Sequence, residues 1–157
     1  MRLSSVAVLG ALVLLSATAC SVNKVTAPVP VISETVFAPA LGVNLAEMTV
    51  SSSGLYTKDI IIGTGDPVVA GSAATVHYTG WLPSGSQFDS SVGGNPISPM
   101  IGVGAVIRGW DEGLIGMKEG GKRRLIIPPS LGYGNQARTG IPANSILVFD
   151  VELVRVQ

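Results

Sequence analysis

Three features of this sequence predict an α+β fold in which a curved antiparallel β-sheet wraps around one short α-helix. Leu147, Phe149, Val151 and Leu153 alternate with Val148, Asp150, Glu152 and Val154, the period of two that sends successive side chains to opposite faces of a strand. Ile107, Trp110, Leu114 and Met117 are spaced three, four and three apart, which gathers them on one face of a helix. Elsewhere, short β-rich runs are closed by Gly, Pro and Ser clusters that stop a strand and turn the chain.

In chain order, the first strand is expected over Leu55–Ile62, before the turn signal Gly63-Thr64-Gly65-Asp66-Pro67. A second runs from about Ala74 to Leu82, where Pro83-Ser84-Gly85 closes it. Gln87–Ser91 is a short piece ahead of the loose Val92–Pro96. The helix is expected over Val106–Lys118, with Asp111 and Glu112 early and Lys118 at its end, as the helix dipole favours. Gly109, Gly113 and Gly116 each lower helix propensity by about 1 kcal/mol relative to Ala. Their own spacing of four and three makes them a side-chain-free stripe that another element can approach. Gly120-Gly121 ends the helix. Lys122–Ile127, stopped by Pro128-Pro129, and Leu147–Val154 supply the last strands.

With 157 residues the chain has room for one compact domain and an appendage. Lysine plus arginine and aspartate plus glutamate both number 10, a balance without the basic face that nucleic acid requires. Arg2, the uncharged stretch Leu3–Leu15 and the small residues Ser16–Ala19 have the layout of a secretory signal over 1–19. The apolar core is too short for a membrane span, which needs about 20 residues. The single cysteine, Cys20, stands where cleavage would leave it first. Small residues before a lone cysteine resemble the lipobox of bacterial lipoproteins, which implies acylation of Cys20 and firm attachment to a membrane. Ser21 is unlike the aspartate that retains lipoproteins in an inner membrane, which favours an outer membrane and a periplasm-facing protein. Ordinary cleavage near Ala19, leaving a spare thiol, is the alternative. Residues 20–53, rich in Ser, Thr, Val and Pro, read as a flexible tether, although Val43–Met48 could pack on the domain. The folded unit is expected over 54–157.

Six blocks follow one another in the folded part: His77-Tyr78-Thr79-Gly80, Phe88-Asp89-Ser90-Ser91, Val106-Ile107-Arg108-Gly109-Trp110, Gly132-Tyr133-Gly134, Ile141-Pro142 and Leu147–Leu153. In a chain that is 5% aromatic, they carry most of the rings. Their order and spacing resemble the FKBP-type, macrolide-binding peptidyl-prolyl isomerases from about Gly54 to the C-terminus. The resemblance implies an apolar pocket between helix and sheet that receives a proline side chain. Trp110 would form its floor, with Tyr78, Phe88, Val106, Ile107, Tyr133 and Phe149 around it. Asp89 would stand at the rim, Ile141 would overhang, and the backbone N–H of Ile107 would take a carbonyl of the bound peptide. Ile97 falls where the family often has an aromatic wall residue, so that wall is thinner.

The implied partners are proline-containing exported polypeptides, with macrolides of the rapamycin kind as inhibitors and no cofactor or metal. His77 is the sole histidine, so no His/Cys cluster suggests zinc. It is expected to face solvent, opposite Tyr78. Gly102-Val103-Gly104 lacks the strand and helix context of a nucleotide loop and reads as a turn. Two departures from the family stand out. Val92-Gly93-Gly94-Asn95 offers no basic partner for Asp89, which could equally cap a turn, and Asn135–Gly140 has Arg138 where a histidine-bearing loop is usual. A binding module or holdase that grips proline segments in the same pocket without turnover is the alternative function.

Overall fold

The computed structural model describes residues 28–157. The signal segment and Cys20 lie outside the described residues. The β-rich runs become β1 (Thr49–Val50), β2 (Tyr56–Ile61), β3 (Ala74–Trp81), β4 (Gln87–Ser90), β5 (Lys122–Ile127) and β6 (Leu147–Val156). They form one six-stranded sheet in the order β1-β2-β5-β6-β3-β4, with every neighbouring pair antiparallel. The strand with the cleanest alternation, β6, lies between β5 and β3. Its register sets Phe149 opposite both Gly80 and Leu125, and Val151 opposite Tyr78, so these side chains share one face.

Helix α1 spans Arg108–Gly113, shorter at both ends than the Val106–Lys118 expected from its spacing. Ile107 is extended at φ −60°, ψ 144° as the N-cap, Leu114 is the C-cap, and Gly116 turns the chain out at φ 75°, a conformation glycine adopts without steric cost. The glycine stripe is therefore divided in function. A Cβ on Gly109 would lie 2.5 Å from Ile127 Cγ2, and one on Gly113 2.8 Å from Leu125 Cδ2. The absent side chains let α1 lie directly on β5, whereas Gly116 faces open space. Arg123, on β5, donates from Nη1 to the carbonyls of Gly113 (2.9 Å) and Ile115 (3.2 Å), and from Nε and Nη2 to Asp59 (2.6 and 3.0 Å). Carbonyls left without partners where the helix ends are thus satisfied.

The sheet buries both faces over its middle. Leu125, Ile127, Leu147, Phe149 and Val151 pack under α1 with Leu55, Val76, Trp110, Leu114 and Met117. On the other face Ile126, Ile146 and Val148 are covered by Ile32 and Leu41, flanked by Phe37, Leu45 and Met48. The stretch read as a tether over 20–53 is thus packed from Ile32 onward. It forms 3-10 turns at Ile32–Glu34, Pro39–Leu41 and Leu45–Glu47, and the boundary expected at Gly54 falls inside the folded unit. This strap is pinned by the Ala38 N–H to the Pro83 carbonyl (2.8 Å) and by Arg124. Arg124 grips Asp150 with two parallel bonds of 2.6 and 2.8 Å and reaches the Leu41 carbonyl. His77 also departs from expectation. It is half-buried, with Nδ1 3.2 Å from the Ser91 carbonyl and 3.3 Å from Ser91 Oγ.

Candidate active site

The face of the sheet under α1 continues past the helix into a pocket of about 760 Å³. Its deep end is an aromatic cluster that the strand registers and helix spacing bring together. Trp110, on the buried face of α1, meets Tyr78 edge to face at 5.2 Å between ring centroids and Phe149 at 5.5 Å. Phe88, on β4, meets Phe149 at 5.4 Å, again edge to face, the arrangement that ring quadrupoles favour. Gly80 makes this packing possible. A Cβ there would lie 2.6 Å from the Phe88 ring and 2.7 Å from that of Phe149. The glycine inside β3 carries this information in the sequence, because glycine in a strand marks a close approach.

The segment entering α1 supplies a second wall through Ala105, Val106 and Ile107. Asp111, one turn into the helix, fixes its path by accepting the N–H of Gly102 at Oδ1 and of Gly104 at Oδ2, both at 2.7 Å. Both glycines have positive φ, 80° and 78°. The loop thus delivers Ile107 with its own N–H uncommitted among the described residues, as expected at a helix N-cap. This clamp had no sequence signature beyond an acid in the first helical turn.

Tyr133 and Ile141 close the pocket from the loop between β5 and β6, with Arg138 and Thr139 beside them. The Arg138 guanidinium lies 5.5 Å from the Tyr133 ring centroid. Ile97 completes the lining. Its segment is bridged to β3 by reciprocal bonds with Val76, of 2.8 and 3.0 Å. Tyr78, Phe88, Asp89, Ile97, Val106, Ile107, Trp110, Tyr133, Ile141 and Phe149 all line this one pocket.

Asp89, which has no basic neighbour in its loop, is oriented by donors. The Tyr78 hydroxyl donates to Oδ2 at 2.6 Å and the Ser90 N–H to Oδ1 at 2.8 Å. Burial, and then the bond to the Asp89 carboxylate, raise the Tyr78 phenol to about 12. The phenol therefore stays a neutral donor. Trp110 Nε1 is buried without a hydrogen-bond partner among the described residues. No group of His, Cys, Asp and Glu suited to a metal ion occurs among the described residues.

An open-mouthed aromatic pocket lined by the uncommitted Ile107 N–H suits a small apolar group of a peptide. The FKBP-type peptidyl-prolyl cis-trans isomerase family matches residues 65–154. An FK506-binding protein of Neisseria meningitidis serogroup B is 51% identical over 105 residues, 66% of this chain and 96% of that protein. FK506-binding protein 2 of Dictyostelium discoideum is 57% identical over 89 residues, 55% of this chain and 67% of that one. Among solved structures, FkpA from Escherichia coli superposes with a TM-score of 0.66 at 44% identity, over 71% of this chain and 52% of that one. AtFKBP13 gives 0.64 at 43% identity, over 71% and 99%. The chain belongs to the FKBP-type peptidyl-prolyl cis-trans isomerase family.

Proposed function

We propose that this isomerase is anchored through an acylated Cys20 to a membrane, facing the periplasm, and speeds the folding of exported proteins by turning over X-Pro bonds in the pocket floored by Trp110. The observation that carries the catalytic reading is the uncommitted Ile107 N–H at the mouth of that pocket. A proline ring that enters the aromatic cluster brings its flanking backbone to this donor.

The chemistry requires no bond to be broken. Rotation about a peptide C–N bond costs about 18–20 kcal/mol because the twisted form loses resonance, and X-Pro bonds isomerise unaided over roughly tens to hundreds of seconds. The twisted amide has a less polar carbonyl than the planar one, so an apolar pocket disfavours the planar form more than the transition state. The Ile107 donor and the aromatic walls hold the segment in a turn-like shape already part of the way to the twist. Rings suit the walls because they bring apolar area with few torsions to fix.

Relatives named FK506-binding proteins support a macrolide of that kind as an inhibitor competing for the same pocket. Exchange spectroscopy on a proline peptide, with and without FK506, tests the reading, and turnover insensitive to the macrolide contradicts it. Anchoring is tested separately by metabolic labelling with palmitate. Label lost on Cys20→Ser supports it, and an unlabelled wild-type protein overturns it.

A further inference from the structure

Arg138 is the one basic side chain in the lining of the pocket. Arg123 and Arg124 are each bound to a carboxylate. Arg138 is exposed, lines the pocket, and has no carboxylate within ion-pair distance among the described residues. Its guanidinium rests over the Tyr133 ring instead, a contact that orients the cation and leaves its donors to solvent.

The backbone beneath it is fixed. Arg138 and Ile141 exchange both hydrogen bonds, at 2.8 and 2.9 Å, around Gly140 at φ 74°. The Asn144 N–H closes the base of the loop on the Gly134 carbonyl at 2.7 Å. A cation and an apolar residue are thereby presented side by side at the mouth. Asp89 is the one acidic residue of the lining, and its oxygens are already taken by Tyr78 and Ser90. The Asp89 carboxylate repels an anion, so one attracted by Arg138 is held away from that side of the lining.

We propose that Arg138 is a specificity-determining residue that favours clients carrying a carboxylate one or two residues from the isomerising proline. The distance follows from chain geometry, because each extended residue advances roughly 3.3–3.6 Å, within reach of an arginine side chain beside the bound ring. The inference rests on the pocket reading above.

The test compares kcat/KM for the detergent-solubilised full chain on proline peptides with Glu, Gln or Lys immediately before the proline, and on a second series with the same residues after it. Glu and Gln have nearly the same shape, so their ratio isolates charge. In at least one series the Glu/Gln ratio is expected to exceed unity by about two- to fivefold, the range of an exposed ion pair. It should fall toward unity in about 0.5 M salt, where screening shortens the reach of the charge. Arg138→Lys should keep the preference and Arg138→Glu reverse it, so that Lys becomes the preferred neighbour. A Glu/Gln ratio that is the same in the wild type and Arg138→Glu in both series overturns the inference while turnover stands. No turnover on any peptide overturns the pocket reading, and the inference with it.

Discussion

The Tyr78 hydroxyl donates to Asp89 Oδ2 at 2.6 Å, joining β3 to β4 across the rim of the pocket. This bond takes the place of a basic neighbour in holding the carboxylate. It also couples the site to alkaline pH, because the phenol is raised to about 12 from the value near 10 of an unfolded tyrosine. The folded state binds this proton more tightly, so the stabilisation is complete below about pH 10 and is lost as pH rises from there to about 12. Urea midpoints measured at about pH 9 and 11 should fall more for the wild type than for Tyr78→Phe; equal losses contradict the assignment.

Removing the same hydroxyl releases Asp89. Tyr78→Phe should lower kcat/KM about three- to tenfold, the scale of one charge-assisted hydrogen bond partly screened by solvent. Retained near-ultraviolet circular dichroism would show the ring still packed against Trp110. Unchanged kinetics would mean that the orientation of Asp89 does not matter to turnover.

Asp111 governs the loop that delivers Ile107. Asp111→Asn replaces one acceptor with a donor, so one of the two glycine N–H groups loses its partner. Amide exchange at Gly102 or Gly104 should accelerate, and kcat/KM should fall about tenfold through the misplaced Ile107, equal to about 1.4 kcal/mol. Faster exchange without a kinetic change would separate loop order from activity.

Gly109→Ala sets two effects against each other. Alanine gains about 1 kcal/mol of helix propensity, but its Cβ would lie 2.5 Å from Ile127, and overpacking a closed core costs about 1–3 kcal/mol. Ile127 is a fully buried strand residue with nowhere to retreat, so destabilisation wins. Denaturant unfolding should show a net loss of about 1 kcal/mol or more, and a stabilised variant would contradict the close approach of α1 to β5.

The strap is the part of the fold the sequence concealed most. Ile126 and Val148 sit in uninterrupted apolar runs, Leu125-Ile126-Ile127 and Leu147-Val148-Phe149, a pattern that marks strands covered on both faces. Asp150 and Glu152, on the same face as Val148, carry the opposite signal of a solvated back. Asp150 is in fact matched by Arg124, which also reaches the strap at Leu41. Short 3-10 turns present no repeating apolar face, so composition alone could not separate residues 32–48 from a linker. By contrast, the β6 alternation and the spacing of Trp110 within α1 were legible because each buries one regular face. The helix is overextended by its spacing because Leu114, the C-cap, and Met117 keep their burial after the helical path has ended at Gly113.

Leu41→Ala should therefore cost about 2 kcal/mol or more, as for other buried leucines, with little effect on kcat/KM since Leu41 lies on the face away from the pocket. A chain beginning at Gly54 should lose more, because Ile126, Ile146 and Val148 would all be exposed. Calorimetry of the two forms checks this, and equal melting temperatures would return residues 32–48 to the role of a tether.

The most direct test of the account is the exchange rate between cis and trans forms of a proline peptide with the full chain and its Trp110→Leu variant. The wild type should accelerate exchange clearly, and Trp110→Leu should reduce that acceleration about tenfold or more while circular dichroism shows the sheet intact. A wild-type rate no faster than the uncatalysed peptide, or a folded variant as active as the wild type, would contradict it.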